Sequence, residues 1–184
     1  MGKSKSSLLL LDVIRIMFEE SYPYRYINHQ SAPEPFKHIC HNYSFYGKNR
    51  KRYIVNVEQY EHNIYCAKFY LAEHKFCDHK FKRMANQFEC SRVIQTIANI
   101  ILELYHKNPF ASFLFIGSNS IDENKDNTRR FKLYTKIIKR KATALNCEQY
   151  YISKYSAYFL FNRFHNSNID LLLELEKRLH QVFN

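Results

Sequence analysis

Apolar and polar positions alternate along three consecutive stretches, Asn42 to Tyr46, Tyr53 to Tyr60 and Ile64 to Leu71. In the second, Val55 and Val57 fall on one face and Asn56 and Glu58 on the other; in the third, Tyr65, Ala67, Phe69 and Leu71 share a face. A period of two places successive side chains on opposite sides of a strand, so the spacing predicts an antiparallel meander. Its turns fall at Gly47-Lys48-Asn49-Arg50 and at Glu61-His62-Asn63. The pattern then changes period. Across Phe88 to Lys107, Val93, Ile94, Ile97, Ile100, Ile101, Leu104 and Tyr105 form a helical stripe. Asn86 and Glu89 resemble a capping box before it, and Asn108-Pro109 stops it.

Ala111 to Ile116 is a short run, apolar except for Ser112, between Pro109 and Gly117, and reads as a buried strand. A polar loop leads from it to a helix over Thr128 to Lys141, whose Phe131, Tyr134, Ile137 and Ile138 recur as a buried face. Tyr150 to Phe161 reads as one aromatic strand, and Ile169 to Phe183 as an amphipathic helix capped by Ser167 and Asp170. At the other end, Leu8 to Phe18 predicts a helix. Ser21 to Cys40, with Pro23, Pro33 and Pro35, predicts a surface connector in which Tyr22, Tyr24 and Tyr26 make a short edge strand or pack beneath the loop.

Strands run together first and then separate. This order favours α+β, an antiparallel sheet of about five strands packed by a long central helix, with N-terminal, basic and C-terminal helices around it. The 184 residues suffice for a single domain, with 1–41 as helix and connector and 42–184 as core.

Positive charge is concentrated in two stretches of the chain. The formal net charge is +11, and residues 125–141 hold eight Lys or Arg against Asp126 alone. Arg129, Lys132, Lys136 and Lys139 fall at i, i+3, i+7 and i+10, one basic stripe on the predicted helix. Lys48, Arg50, Lys51 and Arg52 form a second basic group in a hairpin turn. Such clusters favour polyanionic partners, nucleic acid first, because neutralising phosphates releases counterions. An acidic protein partner, in which the chain is one subunit of a complex, is the alternative.

The loop Ser118, Asn119 and Ser120, with Thr128, Arg129 and Arg130 at the helix start, completes the candidate anion site. Helix N-termini carry unpaired amides and a positive dipole end, and arginine grips phosphate through two parallel hydrogen bonds. Tyr46 and Tyr53 are candidates to stack on bases.

Other chemistries find less support. One glycine in the 117–120 loop excludes the Walker and dinucleotide patterns, no Gly-x-Ser-x-Gly elbow is present, and no paired acids suggest two-metal chemistry. His38, Cys40 and His41, and separately His74, Cys77 and His79, have zinc-ligand side chains but no Cys-x-x-Cys pair, so no metal or cofactor is expected. A metal-independent ribonuclease remains an alternative, with His62 and His106 as accessible bases. The five irregularly spaced cysteines and the interrupted apolar run at Leu8 to Leu11 fit a cytoplasmic protein without a transmembrane segment.

Phe115, Gly117, Ser118, Asn127, Thr128, Arg129, Arg130 and Tyr134, after the Tyr53 to Tyr70 hairpin and the long helix, resemble small uncharacterised bacterial α+β proteins. In these a strand ending in Gly-Ser precedes Thr-Arg and a Tyr-containing helix. The resemblance spans about residues 42–141. It implies a role as a toxin or defence component, with no established activity to carry over.

Overall fold

The computed structural model describes residues 21–32, 38–82, 89–119, 123–124, 126–143, 145–164, 170, 173–177 and 180. The predicted helix at Leu8 to Phe18 lies outside them. Seven strands form one sheet in the order β1-β2-β3-β4-β5-β7-β6. They are β1 (Tyr24–Ala32), β2 (His38–Tyr46), β3 (Arg52–Tyr60), β4 (Ile64–Leu71), β5 (Ser112–Ile116), β6 (Cys147–Ile152) and β7 (Ala157–Asn162). Two helices, α1 (Cys90–Lys107) and α2 (Arg129–Ala142), interrupt the series.

The expected antiparallel sheet of about five strands packed by one long central helix is corrected on three points. The sheet has seven strands and is mixed, because β4 and β5 pair in parallel, Ile64 with Ser112 and Cys66 with Leu114. A parallel pair requires a crossover, and α1 lies within it. The expected connector at Ser21 to Cys40 supplies β1 and the start of β2, in register from Tyr24 with Phe45 to Ala32 with His38. The expected single strand at Tyr150 to Phe161 is a hairpin, β6 and β7, folded at Ser153 to Ser156. Ser156 closes that turn at φ 48°. Sheet, not helix, dominates the architecture.

Strand parity sorts the core into two faces. On one, Tyr43, Phe45, Tyr53, Val55, Val57, Phe113 and Tyr158 pack with Val93, Ile97, Ile100 and Leu104 of α1 and with Phe131, Tyr134 and Ile138 of α2. On the other, Cys66, Leu114, Tyr155, Phe159 and Phe161 form a smaller cluster, against which Leu175 of the C-terminal helical residues 173–177 packs. Among the described residues, no helix is long and apolar enough to cross a membrane.

Candidate nucleic-acid interface

Helix α2 starts where three segments interlock. Thr128 Oγ1 donates to the Gly117 carbonyl (2.6 Å) and accepts from the Phe131 N–H (3.1 Å), so Thr128 caps the helix it precedes. The Thr128 N–H donates to Ser156 Oγ (2.9 Å), and the Gly117 N–H to the Ser156 carbonyl (2.9 Å). A Cβ at Gly117 would lie 2.5 Å from the Phe131 nitrogen, so only glycine lets the end of β5 approach α2 this closely. The helix start is thereby fixed to the sheet.

Its first turn is already supplied with an anion by the chain itself. The Arg129 N–H donates to Glu123 Oε1 (2.7 Å), while Asn119 Nδ2 donates to the Glu123 carbonyl (2.9 Å). Ser118 is half-buried and its N–H donates to Ile116 O (3.1 Å); Ser120 lies outside the described residues. The adjacent arginines part company. Arg129 is exposed, whereas Arg130 is 6% exposed and donates from Nη1 to the Phe81 carbonyl and from Nη2 to that of Lys82 (2.9 Å). Arg130 thus ties residues 81–82 to α2. Helical periodicity carries the signal for this split, since Arg130 precedes Tyr134 and Ile138 by four and eight residues and shares their buried face.

The rest of the stripe is on the surface. Lys132, Lys136 and Lys139 are exposed, and among the described residues none of the three makes an ion pair. Arg129 to Lys139 spans ten residues, a line of cations about 15 Å long. Lys139 Nζ lies 5.9 Å from the ring centre of Tyr151, which is 62% exposed on the edge strand β6.

The second basic group is held by a buried carboxylate. Glu89, 5% exposed at the start of α1, accepts hydrogen bonds from the Lys48 N–H and from the hydroxyls of Tyr22 (2.9 Å) and Tyr53 (3.4 Å). Of the expected capping box, Asn86 lies outside the described residues, and Glu89 is itself the N-cap residue, without a side-chain cap bond. Burial and the adjoining carboxylate raise the pKa of both tyrosines. Lys48, Arg50 and Lys51 project outward, while Arg52 is half-buried on β3 opposite Tyr46. Tyr46 is 54% exposed, but Tyr53 is 1% exposed in the core and cannot stack on bases. Tyr53 has the same strand parity as Val55 and Val57, which is why it points inward.

Topology brings the two groups towards one end of the sheet. Tyr53 pairs with both Phe45 and Leu71, which sets the β2–β3 turn beside the C-terminal end of β4. Since β5 runs parallel to β4, its Gly117 end and the start of α2 point the same way.

The zinc candidates separate. Strand parity puts His38 and Cys40 on one face and His41 on the other, and His41 bonds Gln59 Oε1 (2.9 Å). Among the described residues no group of three His, Cys, Asp or Glu could hold a metal, the His74, Cys77 and His79 stretch included. His62 and His106 are exposed. Burial pushes the thiol of Cys66 up to about 12 and that of Cys147 up to about 11, so neither is a nucleophile at neutral pH.

One polar cluster is not legible in the sequence because Lys68 and His38 reach Glu58 only across strands. Glu58 accepts from Lys68 Nζ (2.6 and 2.9 Å) and from the Tyr60 hydroxyl (2.6 Å), and lies 3.9 Å from His38. Burial opposes charge on Lys68, yet its pKa is raised, with the Glu58 carboxylate among the groups that favour the ammonium. The pair neutralises itself. No family model, curated protein or solved structure matches the chain.

Proposed function

We propose that this protein binds nucleic acid through the exposed side of α2, with Arg129, Lys132, Lys136 and Lys139 contacting phosphates and the Lys48, Arg50 and Lys51 turn adding a second contact. The observation that supports the reading best is a contrast in how the fold treats its lysines. Lys68 is paired with Glu58 and Lys107 with Glu103 (2.5 Å), whereas Lys132, Lys136 and Lys139 line up on one helix without an ion pair among the described residues. Like charges at helical spacing repel, so the line is stabilised when an external polyanion neutralises it.

Recognition here works through side chains rather than through the helix N-terminus, whose Arg129 amide is taken by Glu123. Phosphate contacts of this kind position a strand and carry no sequence information, so affinity without strong sequence preference is expected. The test is binding of a labelled oligonucleotide at increasing salt. Affinity should fall linearly on logarithmic axes, by orders of magnitude between about 50 and 200 mM. Purification with a tightly held acidic protein, and no binding to oligonucleotide at low salt, would replace nucleic acid by a protein partner.

A further inference from the structure

We infer that the ligand of this surface is single-stranded nucleic acid, read by stacking of a base on Tyr151; the inference rests on the polyanion reading of α2 and adds the strandedness of the ligand. Tyr151 belongs to β6, an outermost strand of the sheet, and is 62% exposed although its neighbours across the ladder are buried. It pairs with Tyr158, which is 1% exposed and packed in the α-helical face of the core. Parity therefore puts Tyr151 on the side of the sheet that carries α2, beyond the last helix covering it. The two tyrosines have opposite fates from one register position. Tyr158 lies beneath the helical layer; Tyr151 stands at its border.

What borders it is the cationic line. Lys139 Nζ stands 5.9 Å from the Tyr151 ring centre, within cation–π range, which ties the ring to the stripe. Gln149, two residues along the same strand and face, is exposed as well, and its Oε1 accepts from the Tyr158 hydroxyl (2.5 Å). An exposed aromatic face beside a row of phosphate-binding cations is the combination that holds unpaired strands: the cations track the backbone and the ring takes a base. Duplex bases are stacked on each other and present only edges, so Tyr151 has no face to meet there. Both RNA and DNA strands have bases that stack, and the arms below include each.

The experiment compares fluorescein-labelled oligouridylate and oligothymidylate of about twelve nucleotides with a duplex of the same length, by anisotropy at fixed salt. The intact chain should bind both single strands more tightly than the duplex. Tyr151→Ala should weaken single-strand binding by roughly fivefold to a hundredfold while leaving the duplex affinity and the salt slope unchanged. Tyr151→Phe should retain most of the affinity, since the ring and not the hydroxyl stacks. Tyr151 is exposed, so circular dichroism of both variants should match the parent. If Tyr151→Ala binds single strands as well as the parent does, or the duplex is preferred, the inference is overturned while the α2 reading stands. If no oligonucleotide binds at low salt, the α2 reading falls and takes this inference with it.

Discussion

Gly47 and Glu89, 42 positions apart, occupy one space: a Cβ on Gly47 would run into the Glu89 carboxylate and lie 2.7 Å from Cε2 of Tyr53. Neither obstacle is easily displaced, because Glu89 is held by Tyr22, Tyr53 and the Lys48 N–H and both Glu89 and Tyr53 are buried. Gly47→Ala should therefore destabilise the fold by about 1–3 kcal/mol through overpacking. Lys48→Ala should change stability by less than about 0.5 kcal/mol, since Lys48 reaches Glu89 through its backbone and its side chain is exposed. Urea midpoints of the two variants check both expectations, and equal losses would contradict them.

Arg129 and Arg130 should behave oppositely on substitution. Arg130→Ala removes two hydrogen bonds from a guanidinium to the Phe81 and Lys82 carbonyls and should cost about 3 kcal/mol. Arg129→Ala should leave the urea midpoint near the parent and weaken oligonucleotide binding. A stable Arg130→Ala protein would remove the tie between residues 81–82 and α2 from the account.

The contrast also shows what was legible in the chain. The meander strands, β5, α1 and α2 follow from local periodicity, and the exposed stripe at Arg129, Lys132, Lys136 and Lys139 follows from the same rule. Of strand β1 only the start was legible, as the edge-strand alternative at Tyr24 and Tyr26; Ile27 to Ser31 carries no apolar alternation and is exposed throughout. The β6–β7 turn hid inside an aromatic run, as Ser156 adopts the left-handed region without the glycine or asparagine that marks such turns. The parallel pairing of β4 with β5 and the Glu58–Lys68 cluster are long-range facts that no local pattern encodes. The exposure of Tyr151 was hidden for the same reason: only the strand order makes β6 an edge.

Stability should decline in alkali. Burial pushes Cys66 from its ordinary 9 to about 12 and Cys147 from 9 to about 11, and it pushes Tyr43 and Tyr158 from 10 to about 12. Between those values the folded chain holds protons that the unfolded chain has released, so the slope of stability against pH is negative there. The contribution is complete below about pH 9 and lost as pH rises to about 12. Urea midpoints at about pH 7.5 and 10.5 should differ, the second being lower, and a flat profile would contradict the burial of these four groups.

The helix cap offers a further check on how α2 is set. Thr128→Ala loses the bond from the Phe131 N–H and the one to the Gly117 carbonyl, and should cost about 1–2 kcal/mol. Thr128→Ser keeps both and should lie close to the parent. Equal stability of the alanine and serine variants by thermal melting would show that the cap contributes nothing.

The most direct test of the central claim is the salt dependence of oligonucleotide binding with the stripe neutralised one lysine at a time. Lys132→Gln, Lys136→Gln and Lys139→Gln should each reduce the magnitude of the slope of log affinity against log salt by about 0.7 for a single strand and leave the fold intact. The slope losses should add in the triple variant. A slope that is unchanged in the triple variant, or a parent protein that binds no oligonucleotide at about 50 mM salt, would contradict the account.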